Sequence, residues 1–208
     1  MCGRYAIAVP DAAVLRERFA VQQGLETWTP SQNLKPTQAA PVVVIRNDAR
    51  ELTVMRWGLI PTWAKDAKIG NNMFNARAET VADKPSFRAA FRRRRCLIPA
   101  TGFYEWRQED RRNVPYEFFV DDGEVFAFAG LYEAWRDPRG ETLWSYTIIT
   151  TTPNELVAPI HNRMPVILPY EHESLWLDPQ FEDVTHLQSL LAAYPADRMR
   201  MRPVDRAL

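Results

Sequence analysis

Cysteine and glycine are both scarce in this sequence, and their scarcity excludes several kinds of site. There are two cysteines, Cys2 and Cys96, in 208 residues. Two thiols are too few for a disulfide framework or a four-thiolate metal centre, and no pair of His or Cys residues has the spacing of metal ligands. The eight glycines form neither a dinucleotide-binding GxGxxG pattern nor a phosphate-binding P-loop. We therefore expect no cofactor and no metal ion.

Long apolar runs are also missing. No run approaches the ~18 residues that a membrane span needs, and the first residues lack the basic-then-apolar order of a secretory signal. We expect a cytoplasmic protein, associated with the nucleoid if the source is bacterial. With 46% hydrophobic residues, the chain can bury one sizeable core. The expectation is therefore a single domain over residues 1–208.

Net charge is absent too, because 26 Lys and Arg residues balance 26 Asp and Glu residues. The balance conceals an asymmetry along the chain. Residues 1–112 hold 19 basic and 11 acidic residues, whereas residues 113–208 hold 7 basic and 15 acidic residues. If the asymmetry persists in space, a polyanion is expected to bind to the first half.

Short runs of β-branched and aromatic residues predict strands. The runs are 42–46, 52–57, 116–120, 125–129 and 143–150, and the segment 121–123 predicts a hairpin turn between two of them. Apolar spacing predicts a helix from Pro10-Asp11 to a stop at Gly24, and shorter helices around 87–91 and 184–191. Sixteen prolines divide the chain into short elements. The pattern favours an α+β fold built around a curved or barrel-like sheet of mostly antiparallel strands.

Cys2 follows the initiator methionine, and a small residue in this position permits removal of Met1. Removal leaves an α-amine and a thiol on one residue, a 1,2-aminothiol that condenses with an aldehyde to an imine and then closes to a thiazolidine. With a pKa of roughly 7.7 to 8.0, an α-amine is on the order of 10% neutral at pH 7, whereas a lysine is below about 0.1% neutral. The alternative is a small apolar residue that opens a buried strand.

Three further side chains are suited to proton transfer or positioning. His161 lies in a predicted loop, where its imidazole can exchange protons near neutral pH or can be merely structural. Glu105 lies in an apolar stretch, so that burial would raise its pKa, unless it is an outward-facing strand residue. Asn75 could orient an amine by hydrogen bonds, or it could cap a turn.

Basic and aromatic residues supply candidates for binding a nucleic acid. The run 92–95 consists of four arginines and is typical of a solvated helix end. We therefore favour, as specific contacts, Arg4, Arg77 and Arg163. The aromatic residues that could stack on unpaired bases, or alternatively lie in the core, are Trp57, Trp63 and Trp106.

Six ordered motifs identify a family that this sequence resembles. They are MCGRY at 1–5, NLKPT at 33–37, WGLIP at 57–61, NARAET at 75–80, CLIPATGFYEW at 96–106 and HNRMP at 161–165. Together they resemble the SOS response-associated peptidase (SRAP) family, known for shielding abasic sites in single-stranded DNA, over most of the chain. The resemblance implies a β-rich pseudo-barrel flanked by short helices.

The resemblance also implies a role for each candidate residue. Cys2 would form the thiazolidine, and Asn75 would hold its amine and the sugar. Glu105 and His161 would transfer protons during ring opening, imine formation and reversal. The residues with implied DNA contacts are Arg4, Arg77 and Arg163 on phosphates, Pro36 and Trp63 beside the unpaired bases, and Thr150 on the backbone.

Four positions depart from the commoner family pattern. Lys35 stands where alanine is usual, Thr101 where aspartate is common, and Asn162 where aspartate is frequent. Ala64 replaces a second aromatic residue that some members have. None of these changes removes a proposed catalytic group, but the loss of the aromatic residue weakens the expected stacking on exposed bases.

The resulting expectation is covalent capture of abasic sites in single-stranded DNA, including sites at single-strand/double-strand junctions, by a monomer that does not bind membranes. One alternative is a cysteine peptidase that uses Cys2 and His161, in its simplest form only to remove Met1. The other alternative is a noncatalytic single-stranded DNA-binding module, which would bind in a salt-sensitive way without a covalent product.

Overall fold

The structure is a computed structural model that describes residues 2–109, 112–121 and 123–204. The strands β1 to β14, in chain order, are Tyr5–Ile7, Gln23–Gly24, Ser31–Leu34, Ala39–Arg46, Ala49–Trp57, Asn75–Arg77, Arg95–Ala100, Gly102–Glu109, Arg112–Val120, Phe126–Arg136, Thr142–Thr151, Met164–Pro165, Ile167–Leu168 and Met199–Pro203. The helices α1 to α4 are Ala12–Arg18, Arg88–Arg93, Tyr170–Leu177 and Val184–Ser189, and 3-10 turns lie at Ala67–Asn72 and Ala196–Arg198. The predicted α+β class is confirmed, with mostly antiparallel strands and short helices.

Five of the strands close into a barrel. Antiparallel pairing joins them in the order β5-β4-β7-β10-β11, and a parallel pairing of β11 with β5 closes the ring. At the closure Tyr146 pairs with Trp57, and the Gly58 amide donates to the Tyr146 carbonyl at 2.8 Å. Gly58 has a φ of +121°, and a Cβ there would lie 2.4 Å from the Gly70 carbonyl oxygen. Only glycine fits at this position, where the chain leaves the barrel.

The second sheet has the strand order β14-β9-β8-β1-β3 and packs on the barrel through β1. The hydroxyl groups of Tyr5 and Tyr146 share a hydrogen bond at 2.6 Å. The Tyr5 ring also meets Trp57 and Phe128 edge to face, with centroid distances of 5.0 and 5.8 Å. Buried aromatic contacts of this kind fix β1 against the barrel. The start of the chain is therefore held where the two sheets meet.

The helices are short, and one of them ends earlier than its apolar spacing predicts. Asp11 caps α1 by accepting a hydrogen bond from the Ala13 amide at 2.8 Å. The helix ends at Arg18, because Ala20 adopts a φ of 49° that a right-handed helix cannot contain, and Gly24 lies in β2. Within the described residues, no helix has both the length and the apolar character that crossing a membrane demands.

Strand β7 is buried along its whole length, because the barrel covers one face and α2 and α3 pack against it. Its first residue, Arg95, contradicts the interpretation of the run 92–95 as a solvated helix end. Arg95 is 3% exposed. Its guanidinium donates to the main-chain carbonyls of Phe91, Arg92, Trp176, Phe181 and Asp178. The last carbonyls of α2 and α3 lack helical partners, and Arg95 satisfies them.

The turn after β9 does not form the predicted hairpin. β9 pairs with β8 and β14, whereas β10 pairs with β7, β11 and β13, so the turn carries the chain from one sheet to the other. The Gly123 amide donates to the Val120 carbonyl at 3.1 Å, and Asp122 lies outside the described residues. The hairpin prediction is wrong because a local turn pattern does not specify which strand becomes the neighbour.

Candidate active site

The antiparallel pairing of β1 with β8 places Cys2 beside Glu105. The Tyr104 amide donates to the Arg4 carbonyl at 3.0 Å, and the residues that precede Arg4 therefore meet Glu105 on the neighbouring strand. The Cys2 side chain is fully buried, and its Sγ donates to the Arg4 carbonyl at 3.6 Å. Burial, and secondly the charge of Glu105, raises the pKa of the Cys2 thiol. The thiol is therefore protonated at neutral pH.

Glu105 faces His161 from a buried position. Glu105 is 4% exposed, and its Oε1 has no hydrogen-bond partner among the described residues. Oε1 lies 3.9 Å from the Nδ1 of His161. Desolvation raises the pKa of Glu105 to about 7, and desolvation also lowers the pKa of His161. At neutral pH the carboxyl is thus a mixture of its two forms beside a mostly neutral imidazole, an arrangement suited to proton transfer.

The His161 ring is oriented by the main chain of Arg163. Its Nδ1 lies 3.0 Å from both the amide nitrogen and the carbonyl oxygen of Arg163. The amide can only donate and the carbonyl can only accept, so Nδ1 pairs with one or the other according to the tautomer of the ring. The loop 161–163 therefore fixes the orientation of the ring next to Glu105.

Asn75 opens β6, which runs parallel to β11 and pairs with it at Ile148. The Asn75 Nδ2 donates to the Phe74 carbonyl at 3.0 Å, whereas the Oδ1 is buried and has no partner within the described part of the chain. The same carbonyl accepts from the Trp57 indole at 2.8 Å, which ties Asn75 to the aromatic cluster under β1. A buried amide oxygen without a donor can accept a hydrogen bond from an amine.

Arg77 and Thr150 lie side by side, on β6 and β11. Arg77 is exposed, but Thr150 is buried, and its hydroxyl donates to the Ala76 carbonyl at 3.4 Å. The Thr150 carbonyl accepts from Arg163, whose guanidinium also makes a bidentate ion pair with Glu79. Thr150 therefore holds the guanidinium of Arg163 through its main-chain carbonyl. A direct contact of the Thr150 side chain with DNA stays a prediction.

Arg4 is partly buried and lies two residues after Cys2. Its guanidinium donates to the Gly3 carbonyl at 2.7 Å, while its Nε is buried without a partner in the described region. Arg4 therefore keeps hydrogen-bonding capacity close to the aminothiol. A contact of Arg4 with a phosphate stays a prediction.

The tryptophans considered for base stacking occupy different environments. Trp63 is 56% exposed, whereas Trp57 is fully buried, so the core alternative is confirmed for Trp57. Trp106 and Pro36 are partly buried. The indole of Trp135 donates to the Ala64 carbonyl at 2.7 Å, which anchors the segment that presents Trp63. Trp63 is therefore the candidate that is free to meet an unpaired base.

Glu79 received no role from the sequence, although it lies within the NARAET motif. Its partner Arg163 is 84 residues away along the chain. The only local signal is an acid two positions after Arg77, and an acid at that spacing is common on any surface. Its importance in the site follows from the tertiary structure alone.

The full length of the sequence, residues 1–208, matches the family model for SOS response associated peptidase (SRAP). The chain belongs to the SRAP family. A SRAP relative from Bacillus subtilis (strain 168), named abasic site processing protein YoqW, is 46% identical over 99% of this chain and 92% of its own length. One from Rattus norvegicus, named abasic site processing protein HMCES, is 32% identical over 99% of this chain and 71% of its own length. The resemblance expected from the six motifs is confirmed.

Solved structures share the fold of this chain. A crystal structure of a protein from Bacteroides thetaiotaomicron has a TM-score of 0.89 and 30% identity, covering 99% of this chain and 93% of that one. Another, from Bordetella bronchiseptica, has a TM-score of 0.83 and 29% identity, covering 98% of this chain and 100% of that one. In the present SRAP chain, four of the six motifs meet at the candidate site: those at 1–5, 75–80, 96–106 and 161–165.

Proposed function

We propose that this protein captures abasic sites in single-stranded DNA as a thiazolidine on Cys2. The observation that carries the proposal is the meeting of Cys2 with the buried carboxyl of Glu105, which itself faces His161 at 3.9 Å. The names of the relatives, abasic site processing proteins, support this choice of substrate. Met1 lies outside the described residues, and its removal must free the Cys2 nitrogen.

The first chemical stage is formation of an imine. An abasic deoxyribose is mostly a closed hemiacetal. His161 assists its opening by taking the proton of the C1′ hydroxyl while the bond from C1′ to the ring oxygen breaks, and by returning that proton to the released oxygen. The neutral Cys2 amine then attacks C1′, and its proton passes to the carbonyl oxygen through Glu105. A further proton from Glu105 carries the resulting hydroxyl away as water, and C1′ becomes an imine carbon. The Asn75 Oδ1 orients the amine for this attack.

The second stage traps the imine. Because the Cys2 thiol is held protonated by burial, it does not compete with the amine for the aldehyde. When the imine nitrogen is protonated, Sγ adds to C1′ and the thiol proton returns to Glu105. The five-membered ring contains the nitrogen and sulfur of Cys2, and the whole reaction releases one water. Trapping removes the imine before β-elimination can cut the strand.

The DNA contacts follow from charge and exposure. We assign the phosphate contacts to Arg4, Arg77 and Arg163, and we place Trp63 and Pro36 beside the unpaired bases. A single strand suits such a site, because an unpaired lesion requires no extrusion from a duplex. Junctions with a duplex are included in the proposal.

The two alternatives have less support from the site. A cysteine peptidase requires a thiol with a lowered pKa, whereas burial raises the pKa of Cys2. A noncatalytic DNA-binding module would give no reason for a buried carboxyl oxygen that lacks a hydrogen-bond partner within the described residues and lies next to an aminothiol precursor. Both alternatives predict that no covalent product forms.

Intact mass after mixing the protein with an abasic oligonucleotide tests the proposal. We expect a species with the mass of the Met1-free protein plus the oligonucleotide less one water. The variant Cys2→Ala should give no such species, whereas Cys96→Ala, which removes the other buried thiol, should give it. An undiminished adduct from Cys2→Ala would refute the role of Cys2.

A further inference from the structure

The carboxylate of Glu79 makes a two-point contact with the guanidinium of Arg163, and a phosphate could make the same contact. The two Glu79 carboxylate oxygens accept from the Arg163 nitrogens at 2.6 and 3.0 Å. Arg163 also donates to the Thr150 carbonyl at 2.5 Å. Parallel two-point contacts of this type are made by arginine with carboxylates and phosphates alike.

The two partners of this ion pair are not equally fixed. The Arg163 side chain is 14% exposed and anchored to β11 through Thr150, whereas the Glu79 side chain is 49% exposed. Glu79 lies in the turn after β6, where its side chain is already partly in solvent. If the pair separates, Glu79 is therefore the partner that leaves, and Arg163 stays in place.

The carboxylate of Glu79 also lies within the field of a second arginine. Hydrogen bonding to Arg163 is the main cause that lowers the pKa of Glu79, and the charge of Arg77 contributes in the same direction. Glu79 is therefore ionised at neutral pH. It places a negative charge between two arginines to which the proposed function assigns phosphates.

We propose that Glu79 is a built-in phosphate substitute, which a DNA phosphate displaces from Arg163 when the strand binds. The exchange keeps Arg163 correctly oriented in the free protein, and it limits the affinity for any single strand, damaged or not. The identity of the polyanion rests on the proposed function, but the exchange involves no covalent chemistry. Glu79 thereby sets the affinity for single-stranded DNA and its dependence on salt. Damaged and undamaged strands are distinguished by the reaction of the aldehyde with Cys2.

The test measures binding of an undamaged single-stranded oligonucleotide, which contains no aldehyde, by fluorescence anisotropy at several salt concentrations. Glu79→Gln keeps the shape of the side chain and removes its charge. We expect roughly three- to tenfold tighter binding at low salt. We also expect the slope of log K against log salt to steepen by about 0.7, because one more unpaired cation then meets the single strand.

Two further variants show whether the effect is specific to the pair. Glu182→Gln makes the same charge change in an exposed ion pair with Arg93 and controls for overall charge. It should leave the dissociation constant within about twofold of wild type. In an Arg163→Gln background, Glu79→Gln should also lose most of its effect, since no guanidinium remains to be released.

Unchanged or weaker binding by Glu79→Gln would overturn the inference. So would an equal gain from Glu182→Gln, or a full gain in the Arg163→Gln background. The proposed function is judged separately, by the mass of the product with an abasic strand. If the adduct forms normally while Glu79→Gln gains no affinity, only the proposed displacement of Glu79 by a phosphate is overturned. A wild-type protein that binds no undamaged single strand overturns the exchange, and the mass of the product with an abasic strand still decides the proposed function.

Discussion

The Oε1 atom of Glu105 lies 3.9 Å from the Nδ1 atom of His161. At this separation the two groups are too far apart for a direct hydrogen bond, which requires about 3.2 Å or less. Burial holds the pKa of Glu105 at about 7, so its carboxyl can give and take protons under physiological conditions. Replacement of Glu105 should therefore have two effects that can be measured separately, one on the rate of adduct formation and one on the stability of the fold.

Replacement of Glu105 by glutamine should slow formation of the adduct about a hundredfold or more, the usual contribution of a positioned acid or base. The wild-type rate should rise with pH through about 7, as Glu105 ionises, and again near 8, as the α-amine becomes neutral. The variant should keep only the second rise. Rapid quenching on denaturing gels across this pH range provides the measurement, and a retained rise near 7 would show that another group is responsible.

The same substitution should stabilise the fold at alkaline pH. The pKa of Glu105 in the folded state is raised above its unfolded value near 4.3, so the folded state binds more protons between the two values. Stability is therefore lost as pH rises from about 4 to 7. We expect Glu105→Gln to exceed wild type by on the order of 2 kcal/mol at pH 8 and by little at pH 4. Urea unfolding at both pH values decides; an equal difference at both would contradict the burial argument.

Replacement of Cys2 by serine should separate the amine from the sulfur. A serine at this position retains the α-amine after removal of Met1, so the imine forms but is not trapped by a thiol. We expect a denaturation-resistant adduct only after reduction with borohydride, together with increased cleavage of the strand by β-elimination. Gels run with and without the reductant provide the comparison. A stable adduct without reductant would mean that sulfur is not required.

Replacement of Trp63 by alanine should weaken binding of a single strand by roughly fivefold to a hundredfold, since stacking contributes about 1–3 kcal/mol per base. The adduct rate at saturating DNA should change little. Tyr170→Ala removes another exposed aromatic side chain, on α3, and serves as the control. Equal losses for the two variants would indicate a general surface effect and not stacking by Trp63.

Replacement of Arg95 by methionine should destabilise the protein by about 3 kcal/mol or more, because the carbonyls at the ends of α2 and α3 lose their buried donor. Arg93→Met removes a neighbouring but exposed arginine, and it should change stability by less than about 0.5 kcal/mol. Urea unfolding of both variants measures the difference. Similar midpoints would mean that Arg95 is as dispensable as its solvated neighbour.

Most barrel strands could be predicted from the sequence, because runs of β-branched and aromatic residues fit a pleated and half-buried surface. The runs at 42–46 and 143–150 lie within β4 and β11. Strand pairing could not be predicted in the same way. The turn at 121–123 has the composition of a hairpin, yet its flanking strands belong to different sheets. Strand pairing depends on packing between segments that are distant in the chain, and a local sequence pattern carries no information about that packing.

For the candidate site, too, the identity of the residues could be predicted from the sequence, but their arrangement could not. Cys2, Glu105 and His161 could each be named from their chemistry and their motifs. Their proximity depends on the β1–β8 pairing and on a loop more than fifty residues beyond Glu105. Glu79 gave no signal, since an acid near an arginine becomes informative only when its partner is known.

The sequence by itself determined the family, the reactive groups and the strand-rich character of the chain, because these depend on residue identity and local spacing. Only the tertiary structure decided that Glu105 is buried and faces His161, that Glu79 occupies Arg163, and that Arg95 and Trp57 lie in the interior. Burial and charge pairing arise from contacts between segments far apart in the chain, and those contacts set the pKa values and the free energies on which function depends.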